Sequence, residues 1–241
     1  MTTVVISQPM YFPWIGFMTQ MALADIFVWL DDAQFSKGSF TNRVQVKLPS
    51  GRKWMTIPLA GAGTFTTISR LSAKGSSWVD SHRQMLTQSF KGYSNAHGAI
   101  DLFNSTALAS DDLCESLIAG CEAQARAIGC LPKNILRSSQ LNISGNSWER
   151  VLMIVKQLGG SHYLTGHGAV SYLDHERFNA AGIAVSYMDY DPLPWTQSHG
   201  AFSPFVTGLD LLAAEGGSAH KHLRPACIDW QDFKRRRESM Q

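Results

Sequence analysis

Charged residues are scarce in this 241-residue sequence: Asp, Glu, Lys and Arg make up 17% of it, against about 25% in ordinary globular domains. Hydrophobic residues make up 44%, and the formal net charge is only +2. Disordered chains combine low hydrophobicity with high net charge, so this composition excludes them. We therefore expect a well-packed body.

Cysteine is also scarce. Cys114, Cys121, Cys130 and Cys227 form no CxxC pair, and the spacing of Cys114 and Cys121 is typical of two core positions on one helix. A thioester mechanism through one of these thiols is an alternative, but core packing fits the pattern better, and we assign no nucleophile.

Long apolar runs are missing, since no stretch approaches the roughly 20 apolar residues of a membrane-spanning helix. Residues 1–5 lead directly into a strand-like run without a basic segment or cleavage site, so we expect no secretory signal and a cytoplasmic location. The basic run at residues 234–237 could bind phosphates or a membrane surface, but a solvated, frayed end is the favoured interpretation. Nucleic acid is not an expected partner.

Short catalytic signatures are absent too. The sequence contains no GxxxxGK[ST], GxGxxG, GxSxG or HExxH motif. We assign no metal ligands, and the sequence identifies no cofactor or oligomeric state.

What is present is an alternation of strand-like and helix-like patterns. Strands are expected over residues 3–7, 26–30, 44–48, 53–59, 162–165 and 183–188. Helices are expected over residues 15–24, 82–93, 99–106, 111–128, 147–158 and 174–181, with a last helix over 205–214. These patterns predict one α/β domain over residues 1–241: a mainly parallel sheet with flanking helices and a helical insertion over about residues 78–145.

Four polar or aromatic segments follow predicted strands, where α/β proteins bind ligands. The first contains Gln8, Tyr11 and Trp14, which suit a sugar or base but could also cap the core. The second contains Asp31 and Asp32, which could orient hydroxyl groups or hold a cation, or could instead form a cap and an ion pair.

The second segment continues with Asn42, Arg43 and Lys47. The cationic groups of Arg43 and Lys47 could bind a phosphate or carboxylate. The third contains Gly166 and His167 in a glycine turn and leads to Tyr172. His82, His167 and His199 are candidate general bases, although a structural role is the alternative for each. His167 is preferred because its turn directly follows a strand.

The fourth segment runs from Trp195 and Gln197 through Phe202 to Asp210. Gln-Pro-x-Tyr-x-Pro-Trp-x-Gly, Asp-Asp-x-Gln-Phe, Asn-Arg, Tyr-Leu-x-Gly and Gln-x(4)-Phe-x-Pro-x(4)-Leu-Asp-Leu-Leu occur in this order. Together they resemble the WbqC-like family over nearly the whole chain. Trp195 stands where that family often has Tyr, and Thr207-Gly208 where Ser is common.

The resemblance implies a bacterial transferase of surface-polysaccharide or secondary-metabolite biosynthesis. Its partners would be a small-molecule acyl or aminoacyl donor and an amine acceptor, such as an amino sugar. The alternatives are an ATP-using ligase or nucleotidyltransferase and a non-enzymatic glycan-binding protein. We expect one cleft at the carboxyl end of the sheet. Its predicted catalytic residues are His167, Asp32 and Arg43, and its substrate-binding residues are Gln8, Tyr11, Trp14, Asn42, Lys47, Gly166, Tyr172, Gln197 and Phe202.

Overall fold

A computed structural model describes residues 1–61 and 66–239. Its strands are β1 (Thr3–Ser7), β2 (Ile26–Trp29), β3 (Arg43–Leu48), β4 (Gly51–Thr56), β5 (Asn134–Arg137), β6 (His162–Thr165), β7 (Ala184–Met188) and β8 (Cys227–Asp229). Its α-helices are α1 (Ile15–Ala22), α2 (Trp78–Ser89), α3 (Ala96–Thr106), α4 (Leu113–Ile128), α5 (Ser147–Gln157), α6 (His175–Ala180), α7 (Gly208–Glu215) and α8 (Trp230–Glu238). Within these two ranges, no helix has the length and apolar composition needed to cross a membrane.

Six strands form the main sheet, in the order β5-β2-β1-β6-β7-β8. The first five are parallel, and β8 is antiparallel to β7. Numbered along the chain among themselves, these strands have the order 3-2-1-4-5-6, which is typical of doubly wound sheets. The predicted α/β fold with a mainly parallel sheet is confirmed, as is the presence of β1, β2, β6 and β7 in one sheet.

Both faces of the sheet are buried, because successive side chains of each strand point to opposite sides. Val5 and Phe27 pack in a cluster with residues of α1, α4 and α7. Their neighbours Val4 and Val28 pack in a second cluster with residues of α5, α6 and α8. The near-continuous apolar runs of these strands are therefore those of a central sheet covered by helices on both sides.

Three elements differ from the sequence prediction. β5 lies inside the range 78–145 that was expected to be a helical insertion, and it pairs with β2 at the edge of the sheet. It is four residues long and none of them is fully buried, so its pattern is weak. β8 and α8 follow the helix that was expected to be the last. Residues 234–237 belong to α8, anchored by the buried Trp230 and Phe233, so the expectation of a frayed end was wrong.

β3 and β4 form the predicted hairpin, a separate two-stranded sheet. A buried polar network holds the loop before α7 against this hairpin. The Lys47 ammonium on β3 donates to Gln197 Oε1 at 2.7 Å and to the carbonyl of Ala201. The Trp195 indole donates to the buried carboxylate of Asp210 on α7 at 2.7 Å.

Asp210 should make stability depend on pH in a recognisable window. Burial is the largest influence on this carboxyl and raises its pKa from 3.8 to about 6, although Trp195 and Lys47 oppose the shift. The folded protein therefore holds this proton more tightly than the unfolded chain. The free energy of unfolding should fall by about 3 kcal/mol through this group as pH rises from about 4 to about 6.

Asp210→Asn should remove that contribution, which urea unfolding of both proteins between pH 4 and pH 7 would measure. Asp101→Asn, at an exposed position on α3, controls for the change in net charge. Equal pH slopes for the wild type and Asp210→Asn would contradict the assignment of this proton to Asp210.

Candidate functional site

A cavity of about 390 Å³ opens at the carboxyl ends of β1 and β2, beside the first turn of α5. We call it the switch-point cavity, and its polar side chains are Gln8, Asp32, Gln34, Asn146, Ser147, Arg150 and Tyr172. In this strand order the connections that follow the adjacent strands β1 and β6 run in opposite directions, to β2 on one side and to β7 on the other. That arrangement leaves a crevice outside the strand ends, where doubly wound proteins bind ligands.

Two adjacent carboxylates organise the wall of this cavity. Asp31 accepts hydrogen bonds from the Ser139 amide at 3.1 Å and from the Ser139 hydroxyl at 2.7 Å. Asp32 accepts from the Ser138 hydroxyl at 2.5 Å and from both terminal nitrogens of Arg150, with Nη1 at 3.0 Å. The end of β2 is therefore tied both to the turn after β5 and to α5.

The Asp32–Arg150 pair is held in one geometry. Burial tends to raise the pKa of Asp32, but hydrogen bonds from Arg150 and Ser138 outweigh it, so the pKa is lowered. Asp32 is therefore ionised at neutral pH. Arg150 also donates its Nε to the carbonyl of Ile143 at 3.0 Å, which fixes the plane of the guanidinium.

The backbone that enters α5 is strained. Gly145 has φ +117°, and Ser147 has φ 51°, a left-handed conformation that residues other than glycine rarely adopt. Asn146 precedes the helix without capping it through its side chain. The N–H groups of the first turn, next to Arg150, therefore make this end of α5 a favourable place for a negative charge or a polarised oxygen.

The single predicted cleft is divided among three cavities. Gln8, Asp32 and Tyr172 line the switch-point cavity, and Gly166 begins the turn that leads to Tyr172. His167 instead lines a second cavity of about 660 Å³, together with Asp189, Phe233, Arg236 and Arg237, which we call the basic cavity. The turn Gly166–Tyr172 thus contributes to two cavities, because its residues point to both sides of it.

Lys47 and Phe202 line a third cavity of about 480 Å³, between the hairpin and the loop before α7. The Lys47 ammonium donates hydrogen bonds to Gln197 and to the Ala201 carbonyl of that loop. Gln197 completes the same contact, since its Nε2 donates to the Ser203 carbonyl at 2.9 Å. These side chains hold one loop against one strand, so we give them no role at the switch-point cavity.

The remaining predicted residues lie in structural contacts. The Tyr11 hydroxyl and His82 Nδ1 are 2.8 Å apart in the core, and burial lowers the pKa of His82 to about 4. Asn42 Nδ2 donates to the Ile57 carbonyl at 2.9 Å. The Arg43 guanidinium lies 4.2 Å from the centre of the Trp54 ring and donates to the Gly38 carbonyl.

Trp14 packs edge-on against Tyr190, with ring centres 4.8 Å apart, so the aromatic loop after β1 turns into the body rather than into the cavity. Capping of the core is the alternative role that the sequence left open for this loop. Three cysteines are buried, and burial raises the pKa of Cys114 and of Cys130 to about 12. Their thiolate forms are therefore rare at neutral pH.

The sequence prediction gave no site role to Arg150 or to the entry into α5, and for the arginines of α8 it favoured a frayed end over a binding role. Gly145 and Asn146 directly precede Ser147, the first residue of a clear amphipathic helix, and are a visible signal for a helix start. The sequence did not predict that this helix start lies at the carboxyl end of the sheet, because the preceding strand β5 was not recognised.

Comparison with known proteins gives a family but no activity. The chain is 29% identical to the uncharacterized protein Rv1507c of Mycobacterium tuberculosis (strain ATCC 25618 / H37Rv), over 93% of this chain and 98% of the relative. No solved structure matches the chain. The model of the WbqC-like protein family matches residues 8–222, a span that contains the switch-point cavity and most of the sheet. The chain belongs to the WbqC-like protein family.

Proposed function

We propose that this protein transfers an acyl or aminoacyl group to an amine of an amino sugar or a related biosynthetic intermediate. Its setting would be bacterial surface-polysaccharide or secondary-metabolite biosynthesis. The observation that carries the proposal is the switch-point cavity, where an ionised Asp32, a fixed Arg150 and the start of α5 face Gln8 and Tyr172. This set combines one anionic group with cationic and neutral donors, as an amine acceptor with polar substituents requires.

Each group has a role that follows from its chemistry. The Asp32 carboxylate would attract and orient the amine, while Gln8 and Tyr172 would bind hydroxyl or carbonyl groups of the acceptor. As the amine attacks the acyl carbonyl, negative charge develops on the carbonyl oxygen. Arg150 and the N–H groups of the first turn of α5 would stabilise that charge.

His167 is the proposed base. Its Nε2 lies 2.7 Å from the Met188 carbonyl, which can only accept, so Nε2 carries the hydrogen and Nδ1 of the neutral ring is the acceptor. In the proposed step the carbon–nitrogen bond forms and the bond to the leaving group breaks. The leaving group departs with the electron pair, and the amine proton passes through water to His167, which lines the basic cavity.

A second candidate is an ATP-using ligase or nucleotidyltransferase. The 3-2-1-4-5-6 strand order favours it, because sheets of this order often bind nucleotides at the same crevice. A fold hosts many functions, so the order alone gives it less support than the polar residues of the cavity give to acyl transfer.

A turnover assay distinguishes the transferase from the ligase and from a glycan-binding protein. The full chain is incubated with glucosamine and related amino sugars, and with acyl thioesters, with or without ATP and Mg²⁺. Amide formation without ATP supports the proposed transferase. Strict dependence on ATP indicates the ligase, and tight sugar binding without turnover under any condition indicates a glycan-binding protein.

Arg150→Gln should weaken amino-sugar binding at least tenfold, because Asp32 loses the guanidinium fork that orients its carboxylate. The cost in stability should be about 1–3 kcal/mol, since the Asp32 carboxylate loses a partly buried partner. Calorimetric titration and urea unfolding measure the two effects. Arg224→Gln, which breaks the exposed pair with Asp191, is the matched control and should leave binding unchanged. Unaltered binding by Arg150→Gln would exclude the cavity as the acceptor site.

Tyr172→Phe should weaken the same binding about fivefold, the effect of about one lost hydrogen bond, while the thermal midpoint stays unchanged. The Tyr172 hydroxyl is hydrogen-bonded to the buried Tyr163 hydroxyl, but Tyr163 donates to Thr165 Oγ1 at 3.2 Å, so the substitution leaves no buried group without a partner. Tyr190→Phe is the control, because the Tyr190 hydroxyl donates to the Pro204 carbonyl, outside this cavity. Equal affinities of Tyr172→Phe and wild type would remove Tyr172 from the acceptor site.

A further inference from the structure

The basic cavity lies at the carboxyl ends of β6 and β7 and has an apolar floor. Phe233 of α8 is buried there, stacked on Tyr187 of β7 with ring centres 4.2 Å apart, and Val170 adds an aliphatic surface. Arg236 and Arg237 also line it. A ligand that fills this space therefore meets both apolar side chains and guanidinium groups.

One of the two arginines is uncompensated. Arg236 pairs with Asp189 at 2.8 Å. Arg237 lies 5.9 Å from the centre of the Phe233 ring and forms no ion pair with any residue of the described ranges 1–61 and 66–239. The charges that face the cavity are thus two arginines against one aspartate, which leaves a net positive charge without counting His167.

The other cations of α8 do not line this cavity. Arg235 pairs with Asp232 one helical turn earlier, and Lys234 lies 4.8 Å from the centre of the Trp230 ring. Lys234 and Arg235 therefore contact other residues of α8, whereas Arg236 and Arg237 line the basic cavity. That division supplies a control variant within the same helix.

The basic cavity and the switch-point cavity are neighbours along the chain. Residues 167, 168, 170 and 171 line the basic cavity, and the next residue, Tyr172, lines the switch-point cavity. One short turn after β6 therefore contributes to both. A group-transfer enzyme needs two substrates held with their reacting atoms in contact, and in the proposed enzyme this shared turn is where the two ligands would meet.

We propose that the basic cavity binds the acyl donor, and that this donor is a phosphorylated carrier bearing an acyl group. The inference rests on the proposed function and adds the class of donor to it. Arg237 would bind a phosphate of the carrier, since an unpaired guanidinium favours such an anion. Phe233 and Val170 would contact the apolar part. His167, which lies in the shared turn, would then be beside the acyl group.

Butyryl coenzyme A is the probe, titrated calorimetrically into the full chain at constant ionic strength. Arg237→Gln should weaken its binding at least tenfold. Arg235→Gln, with the same loss of charge on the same helix, should bind as the wild type does. Arg150→Gln tests whether the donor binds instead in the switch-point cavity. Coenzyme A should share the dependence on Arg237, while butyrate should not.

Two results would overturn the inference: equal losses in Arg237→Gln and Arg235→Gln, which indicate nonspecific attraction, or a loss confined to Arg150→Gln, which places the donor in the switch-point cavity. Acyl transfer to an amine is assayed separately on the wild type. Transfer with donor binding that is independent of Arg237 rejects this inference and leaves the proposed function standing. Absence of transfer despite Arg237-dependent binding rejects the proposed function instead.

Discussion

The hydrogen bonds that Asp31 and Asp32 accept hold the carboxyl end of the sheet together. They connect the end of β2 to Ser138 and Ser139 after β5, and through Arg150 to α5. Two adjacent carboxylates near the start of the chain thus bind side chains that lie more than 100 residues later in the sequence. Without these contacts the start of α5 would have no fixed position relative to β1 and β2, and the switch-point cavity would lose one wall.

The same contacts explain why two charged side chains lie in partly buried positions, where their desolvation lowers the stability of the fold. The Arg150–Asp32 pair is largely withdrawn from water, with side chains 14% and 28% exposed, and such pairs contribute little net free energy of folding. Ser147 adds backbone strain beside them. Strain and buried charge often occur together at sites where a fixed geometry matters more than stability, which agrees with a binding role for this edge of the sheet.

Sequence patterns predicted the elements that are strongly apolar or strongly periodic. β1, β2, β6 and β7 were recognisable because each is a buried run bounded by polar residues, and α5 because of its regular apolar positions. β5 and β8 were missed because they are short and expose much of their surface, so tertiary contacts rather than local patterns determine them. α8 was missed because its run of exposed charges was interpreted as a frayed end.

Among the predicted site residues, Gln8, Asp32 and Tyr172 lie together because parallel strands end at one edge of the sheet. Other predicted polar side chains, such as Asn42 and Lys47, are chemically similar but form hydrogen bonds that hold the structure together. Sequence alone does not show whether a polar side chain points into a cavity or towards a neighbouring backbone carbonyl. Arg150 illustrates the converse, because a helical arginine ten or more residues after an unrecognised strand carries no local sign of its partner Asp32.

The location of a bound amino sugar, determined by crystallography on the full chain, tests the central claim most directly. We predict that the sugar lies in the switch-point cavity with its amine within hydrogen-bonding distance of the Asp32 carboxylate. A sugar found instead in the cavity lined by Lys47 and Phe202, with the switch-point cavity empty, would contradict the assignment of the acceptor site.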